Sequence, residues 1–120
     1  MPQQCIDKDI KIRPAQGRVH VIFDQAEIVS STRALELDEP GCPLRIYVPL
    51  EDVQPGILEM TETHTTCPHK GEASYYTIKT LTATAEDAAW YYPDPCPQVE
   101  EIRDMVAFWG DQIEYRTTAV

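Results

Sequence analysis

The chain has 120 residues, with 20 acidic side chains against 10 basic ones and a formal net charge of -10. That length suits one domain spanning residues 1–120, in which folding removes roughly two-thirds of the unfolded surface from water. The charge excludes bulk DNA or RNA binding, because it repels the phosphate backbone, yet locally converging cations (Arg33, Arg45, Lys70, Lys79) still suit a small anion.

Met1 to Asp9 carries no apolar core of signal-peptide length, and no apolar run is long enough to span a bilayer, so a cytoplasmic chain with no membrane partner is expected. Cys5, Cys42, Cys67 and Cys96 form no close pair, which fits neither a disulfide-dense scaffold nor a zinc-knuckle framework. Four reduced thiols are the expectation.

In chain order, Arg18 to Phe23 alternates Val19, Val21 and Phe23 on one side, the period of two of a half-buried strand. Ala26 to Val29 returns it after a turn at Asp24-Gln25. Leu44 to Val48 reads as a strand stopped by Pro49, which cannot donate to a ladder. Leu50 to Met60 has helical spacing, but Pro55-Gly56 confines any helix to one or two turns. Ser74 to Thr80 and Ala88 to Tyr92, dense in aromatic and small or β-branched residues, read as core strands. Pro93 to Pro97 is a stiff loop, since its three prolines remove backbone donors. A short acidic helix over Gln98 to Asp104 follows, and Val106 to Trp109 with Gln112 to Arg116 reads as a closing hairpin about Gly110-Asp111. The expected class is mainly β, a single small antiparallel sandwich or partly closed barrel with one or two short helices.

The segment Thr65 to Gly71 reads as a loop that gathers a thiol, an imidazole, an ammonium and a permissive glycine. A cation beside a thiol raises its thiolate fraction, so Lys70 and His69 would activate Cys67 as a nucleophile. The plain alternative makes Cys67 a small buried residue and Lys70 a solvated charge. His64, Cys67 and His69 lie close together but lack the paired spacing of a zinc site, so no metal is expected. Asp7-Lys8-Asp9 reads as two solvated carboxylates at a terminus, and the phosphate-loop, dinucleotide and hydrolase signatures are absent. Tyr75, Tyr76, Trp90, Tyr91 and Tyr92 offer apolar faces with hydrogen-bonding handles, for packing or for a ligand.

Several motifs occur in order: Ser31-Thr32-Arg33-Ala34; Tyr47-Val48-Pro49 with Glu51-Asp52-Val53; Thr65-Thr66-Cys67-Pro68-His69-Lys70-Gly71 running on to Tyr76; Ala89-Trp90-Tyr91-Tyr92-Pro93-Asp94-Pro95; and Val106-Ala107-Phe108-Trp109. Over about residues 18–115 the chain resembles the domain-of-unknown-function family numbered 427, which also carries a nucleotidyltransferase-domain label. The resemblance implies a small, mainly β domain and no defined activity. It points to Arg33, Tyr47, Asp52, Thr65, Cys67, Lys70, Gly71, Trp90, Tyr92 and Asp111, and takes His69 off the site list. Nucleotidyl transfer needs metal ions held by carboxylates, and no convincing pair is legible.

Together these readings describe a small domain with a pocket for an anionic or nucleotide-like small molecule about Thr65 to Gly71. Cys67 and Lys70 are its candidate reactive pair, and Arg33, Tyr47, Asp52, Thr65, Gly71, Trp90 and Tyr92 its candidate ligand contacts. The cofactor is left unassigned. The alternatives are a cysteine-dependent enzyme using Cys67 and a non-catalytic homodimeric interaction domain.

Overall fold

The computed structural model describes residues 4–119. Ten strands account for most of them: β1 (Lys11–Pro14), β2 (Arg18–Phe23), β3 (Ala26–Ser31), β4 (Leu35–Asp38), β5 (Arg45–Pro49), β6 (Leu58–Cys67), β7 (Gly71–Lys79), β8 (Thr84–Tyr91), β9 (Met105–Phe108) and β10 (Ile113–Thr118). They form a seven-stranded sheet in the order β1-β4-β5-β9-β8-β7-β6 and a three-stranded sheet in the order β10-β2-β3. All ladder pairings are antiparallel. Two short 3-10 helices, Leu50–Asp52 and Pro97–Ile102, complete the elements. The mainly β class is as expected, and the sheets stay open instead of closing into a barrel.

Strand alternation divides the core in two. Val19, Val21 and Phe23 from β2 meet Val48, Tyr76, Ile78, Ala89, Val106 and Phe108 from the large sheet, which fills the space between the sheets. The neighbours of those large-sheet residues point the other way. Tyr47, Ala73, Met105 and Ala107 join Leu37, Tyr92, Cys96, Val99 and Ile102 in a second cluster on the opposite face. Strand β9 is therefore buried on both sides, with all four residues covered. The second face is roofed only in part, by the 92–102 segment, and that gap leaves room for a site.

The first hairpin forms as expected, with Asp24 and Gln25 both at positive φ (50° and 70°) in its two-residue turn. The last one does not. Strand β9 pairs with β5 and β8, whereas β10 pairs with β2 in the other sheet, so Gly110-Asp111 carries the chain from one sheet to the other. The short-range turn signal was real, but burial of Val106 and Phe108 against β2 decided the pairing. The Thr65–Gly71 segment is likewise no open loop: Thr65, Thr66 and Cys67 pair with Ala73, Glu72 and Gly71 at the closed end of the β6–β7 hairpin. Helical structure in the 50–60 stretch ends at Asp52, and Leu58 already begins β6.

The four cysteines are not all thiols. Cys5 and Cys96 are joined in a disulfide, and Cys42 and Cys67 are free. Ninety-one positions separate the bonded pair, so no spacing rule could reveal it. Among the described residues no helix is long and apolar enough to cross a membrane.

Candidate functional site

A cleft of about 410 Å³ opens on the second face of the large sheet. Its floor is Tyr47 on β5 and Tyr92, which follows β8, and its walls include Trp90, Tyr75 and Trp109. Trp90 Nε1 donates to Tyr47 Oη at 3.1 Å. Burial pushes the phenol pKa values of Tyr47 and Tyr92 well above the ordinary tyrosine range, and for Tyr47 the Trp90 bond and nearby Arg45 oppose that only in part. The floor is therefore uncharged at any physiological pH.

Arg45, one residue-pair along β5 from Tyr47, reaches over this floor. Its guanidinium carbon lies 4.5 Å from the Trp109 ring centroid and 5.4 Å from that of Trp90, within cation–π range of both indoles. No carboxylate pairs with it among the described residues. In a chain with twice as many acids as bases, an unpaired arginine in a concave site is the exception. Contact with the two rings limits where the guanidinium can lie. Trp109 is 63% exposed and so offers an uncovered ring at the mouth.

Beside Arg45 lies a buried carboxylate shared by two ammonium groups. Glu39, only 4% exposed, is paired with Lys70 and, at 2.8 Å, with Lys8. Burial pulls the Glu39 carboxyl pKa up, but the hydrogen bonds from Lys70 and Lys8 outweigh it and hold the group below the usual carboxylate range. The Glu39 bond raises Lys8 above the ordinary lysine value in turn. The trio carries one net positive charge when all three groups are ionised.

A second carboxylate, Asp87, also lines the cleft. Both neighbours of β7 carry extra residues here: β6 between Met60 and His64, and β8 between Ala85 and Ala89. The β8 bulge sets Asp87 at φ 53°, in the left-handed region, and its two oxygens accept from Thr61 and Thr63 hydroxyls at 2.7 Å each. Held this way, Asp87 is an oriented acceptor for a hydroxyl or amino group.

Of the residues singled out from sequence, Tyr47, Lys70, Trp90 and Tyr92 line the cleft. Thr65 sits just outside, its hydroxyl 2.8 Å from that of Tyr75, and Gly71 (φ 118°) closes the hairpin opposite Cys67. Cys67 is half-buried and packs against the second cluster. The ammonium of Lys70 bonds Glu39, so the cation expected to act on Cys67 is compensated by a carboxylate. Arg33 and Asp52 lie elsewhere, paired with each other at 2.8 Å near the end of β3, with Arg33 also 2.8 Å from Glu51. Ser31 donates to Asp52 at 2.6 Å, and the pair reads as a structural clamp. Asp111 is an exposed turn residue between β9 and β10.

Glu39, Asp87 and Lys8 were not singled out for this site. Only Arg45 and Trp109 had a signal, the first as a cation in an acidic chain and the second within a motif. The positions of Glu39 and Asp87 depend on pairing and bulges that no local pattern reports.

No curated protein matches the chain to a significant degree. One family model, described as a domain of unknown function (DUF427), matches residues 11–118, from β1 to the end of β10, and the chain belongs to that family.

Proposed function

We propose that the cleft binds a small anionic molecule, with Arg45 as the anchoring cation. Asp87 adds a requirement for a hydroxyl or amino donor on the same molecule, as in a sugar phosphate or a nucleotide. Trp109 and Tyr75 supply faces on which a flat ring or sugar can lie. The single observation that carries this reading is Arg45, unpaired and held between two indoles inside a concave, uncharged-floored site.

The test is thermal unfolding against nucleoside monophosphates, sugar phosphates and small carboxylates. A ligand at a hundred times its dissociation constant adds about 2.7 kcal/mol, several degrees for a domain of this size. The shift is expected to vanish in Arg45→Gln and to survive in Arg33→Ala. A shift retained in Arg45→Gln would place binding elsewhere.

A second reading, a homodimer, has one observation behind it. Strand β6 is a ten-residue edge, mostly exposed, with Met60 62% exposed. Such an edge can pair with its own copy, though Glu59 and Glu62 repel one. Sedimentation at high concentration decides it, a monomer excluding the dimer.

A further inference from the structure

We propose that the positive charge of the cleft is set by the redox state of the Cys5–Cys96 disulfide, which holds Lys8 as a positioning residue against Glu39. The inference rests on the anion-binding reading above.

Residues 4–10 form a strap, with no strand partner among the described residues until β1 begins at Lys11. Among the described residues Ile10 packs against the second cluster, and the hydrogen bonds ahead of it converge on two places. The Ile6 amide donates to the Pro68 carbonyl at 2.8 Å, and the Ile6 carbonyl meets His69 Nδ1 at 2.8 Å and Gln98 Nε2 at 3.1 Å. The Lys8 amide donates to Gln98 Oε1 at 3.1 Å. One residue before Ile6, Cys5 is bonded to Cys96, whose own amide donates to the Lys70 carbonyl at 2.8 Å. The strap is thus pinned covalently to the segment that abuts Lys70, and its next charged group that reaches inward is Lys8, on Glu39.

The consequence is electrostatic. With Lys8 in place, Glu39 divides its charge between two ammonium groups, and Lys70 keeps part of its own for the cleft. Without Lys8, Glu39 is matched by Lys70 alone, and the cluster changes from one net positive charge to none. A dithiol that reduces the bond is itself oxidised to its cyclic disulfide. Two electrons and two protons pass to the protein, the Cys5–Cys96 bond breaks, and two thiols form. Among the described residues the remaining hold on the strap before Ile10 is the Lys8–Glu39 pair itself and a few part-exposed hydrogen bonds, each of modest net strength. The covalent pin fixes Lys8 from its N-terminal side, and cutting it leaves the residue tethered near Glu39 on one side only, through Ile10 and Lys11, whose register partner is Asp38.

The experiment uses the full chain in two states, oxidised and dithiol-reduced, with Cys5→Ser/Cys96→Ser as a permanently unpinned form. The reaction of Lys8 with acetic anhydride, read by mass spectrometry, reports release of the strap. Inorganic phosphate and adenosine monophosphate titrations report the cleft. Reduction is expected to raise Lys8 acetylation and to weaken both ligands by about tenfold, the scale of one partly screened charge. The double serine variant should match the reduced protein. Lys8→Gln should bind weakly in both states, while Lys8→Arg restores both affinity and redox sensitivity, which a purely structural role for Lys8 would not do.

Unchanged Lys8 acetylation on reduction would overturn the inference, as would a redox effect on affinity that persists in Lys8→Gln. If neither ligand binds the oxidised protein, the anion site itself falls and takes the proposed charge control with it. The acetylation result then still separates a released strap from a fixed one.

Discussion

Trp90 Nε1 donates to Tyr47 Oη at 3.1 Å, a bond that reaches from β8 to β5 across the strand between them. Ala107, the β9 residue opposite Trp90, has only a methyl group in the intervening space. The indole that flanks Arg45 is therefore fixed from below by a buried phenol. Tyr47→Phe is expected to cost about 1 kcal/mol in chemical denaturation and to change the tryptophan emission of the folded protein, because the Nε1 donor loses its partner. An unchanged spectrum would mean that Trp90 is positioned by packing alone.

Glu39 has a clear pH signature. Its folded-state pKa lies below the ordinary value, so its stabilising contribution is full above the ordinary carboxylate range and is lost as pH falls through the folded value. Removing the shared carboxylate leaves two ammonium groups without it. Glu39→Gln is therefore expected to destabilise the protein by about 2 kcal/mol at neutral pH, less than for a fully buried pair because Lys8 is partly exposed. Denaturation curves recorded from pH 7 down to about 3 should show the gap between variant and wild type closing in the acid limb. A gap that stays constant would show that the loss is one of shape and not of charge.

The clamp at Asp52 predicts a contrast. Ser31 is 1% exposed, and its hydroxyl donates to Asp52 at 2.6 Å while accepting from the Arg33 amide at 3.1 Å. Ser31→Ala strands a carboxylate oxygen and an amide, and should cost about 1–3 kcal/mol. Arg33→Ala removes the two ion pairs of an exposed guanidinium, with Asp52 and Glu51, and should cost about 1 kcal/mol or less. Neither should alter ligand affinity at the cleft, which titration checks directly.

Gly17 is held at φ 78°, and a Cβ there would strike the Thr118 carbonyl oxygen. Gly17→Ala is expected to lower stability by more than about 2 kcal/mol and to loosen the end of β10 first. Amide exchange at Arg116 to Thr118 is the discriminating readout.

Much of the fold was legible because its signals are local. Val19, Val21 and Phe23 alternate by two, and the same alternation appears as inward burial in β2. Asp24-Gln25 marks a tight turn whatever surrounds it. The β9–β10 hairpin failed because Gly110-Asp111 reports a change of direction but not which strand receives the chain next. That choice belongs to the distant β2. Strand β1 is short and exposed, so it shows no pattern of its own. The lining of the candidate cleft was legible where chemistry is dense, at Tyr47, Lys70, Trp90 and Tyr92. Glu39 and Asp87 stayed hidden among twenty acids, because their meaning comes from burial and from bulged strands. Arg33 and Asp52 stood out as motif residues, and their polar chemistry is turned on each other.

Both of the chain's tryptophans, Trp90 and Trp109, lie against Arg45, so intrinsic fluorescence reports on the cleft and little else. The most direct measurement is a fluorescence titration of the wild type and Arg45→Gln with adenosine monophosphate, a sugar phosphate and inorganic phosphate. An anion-binding cleft predicts a saturable change in the wild type that is absent from the variant. No saturable change at millimolar concentrations, or an equal one in Arg45→Gln, would contradict it.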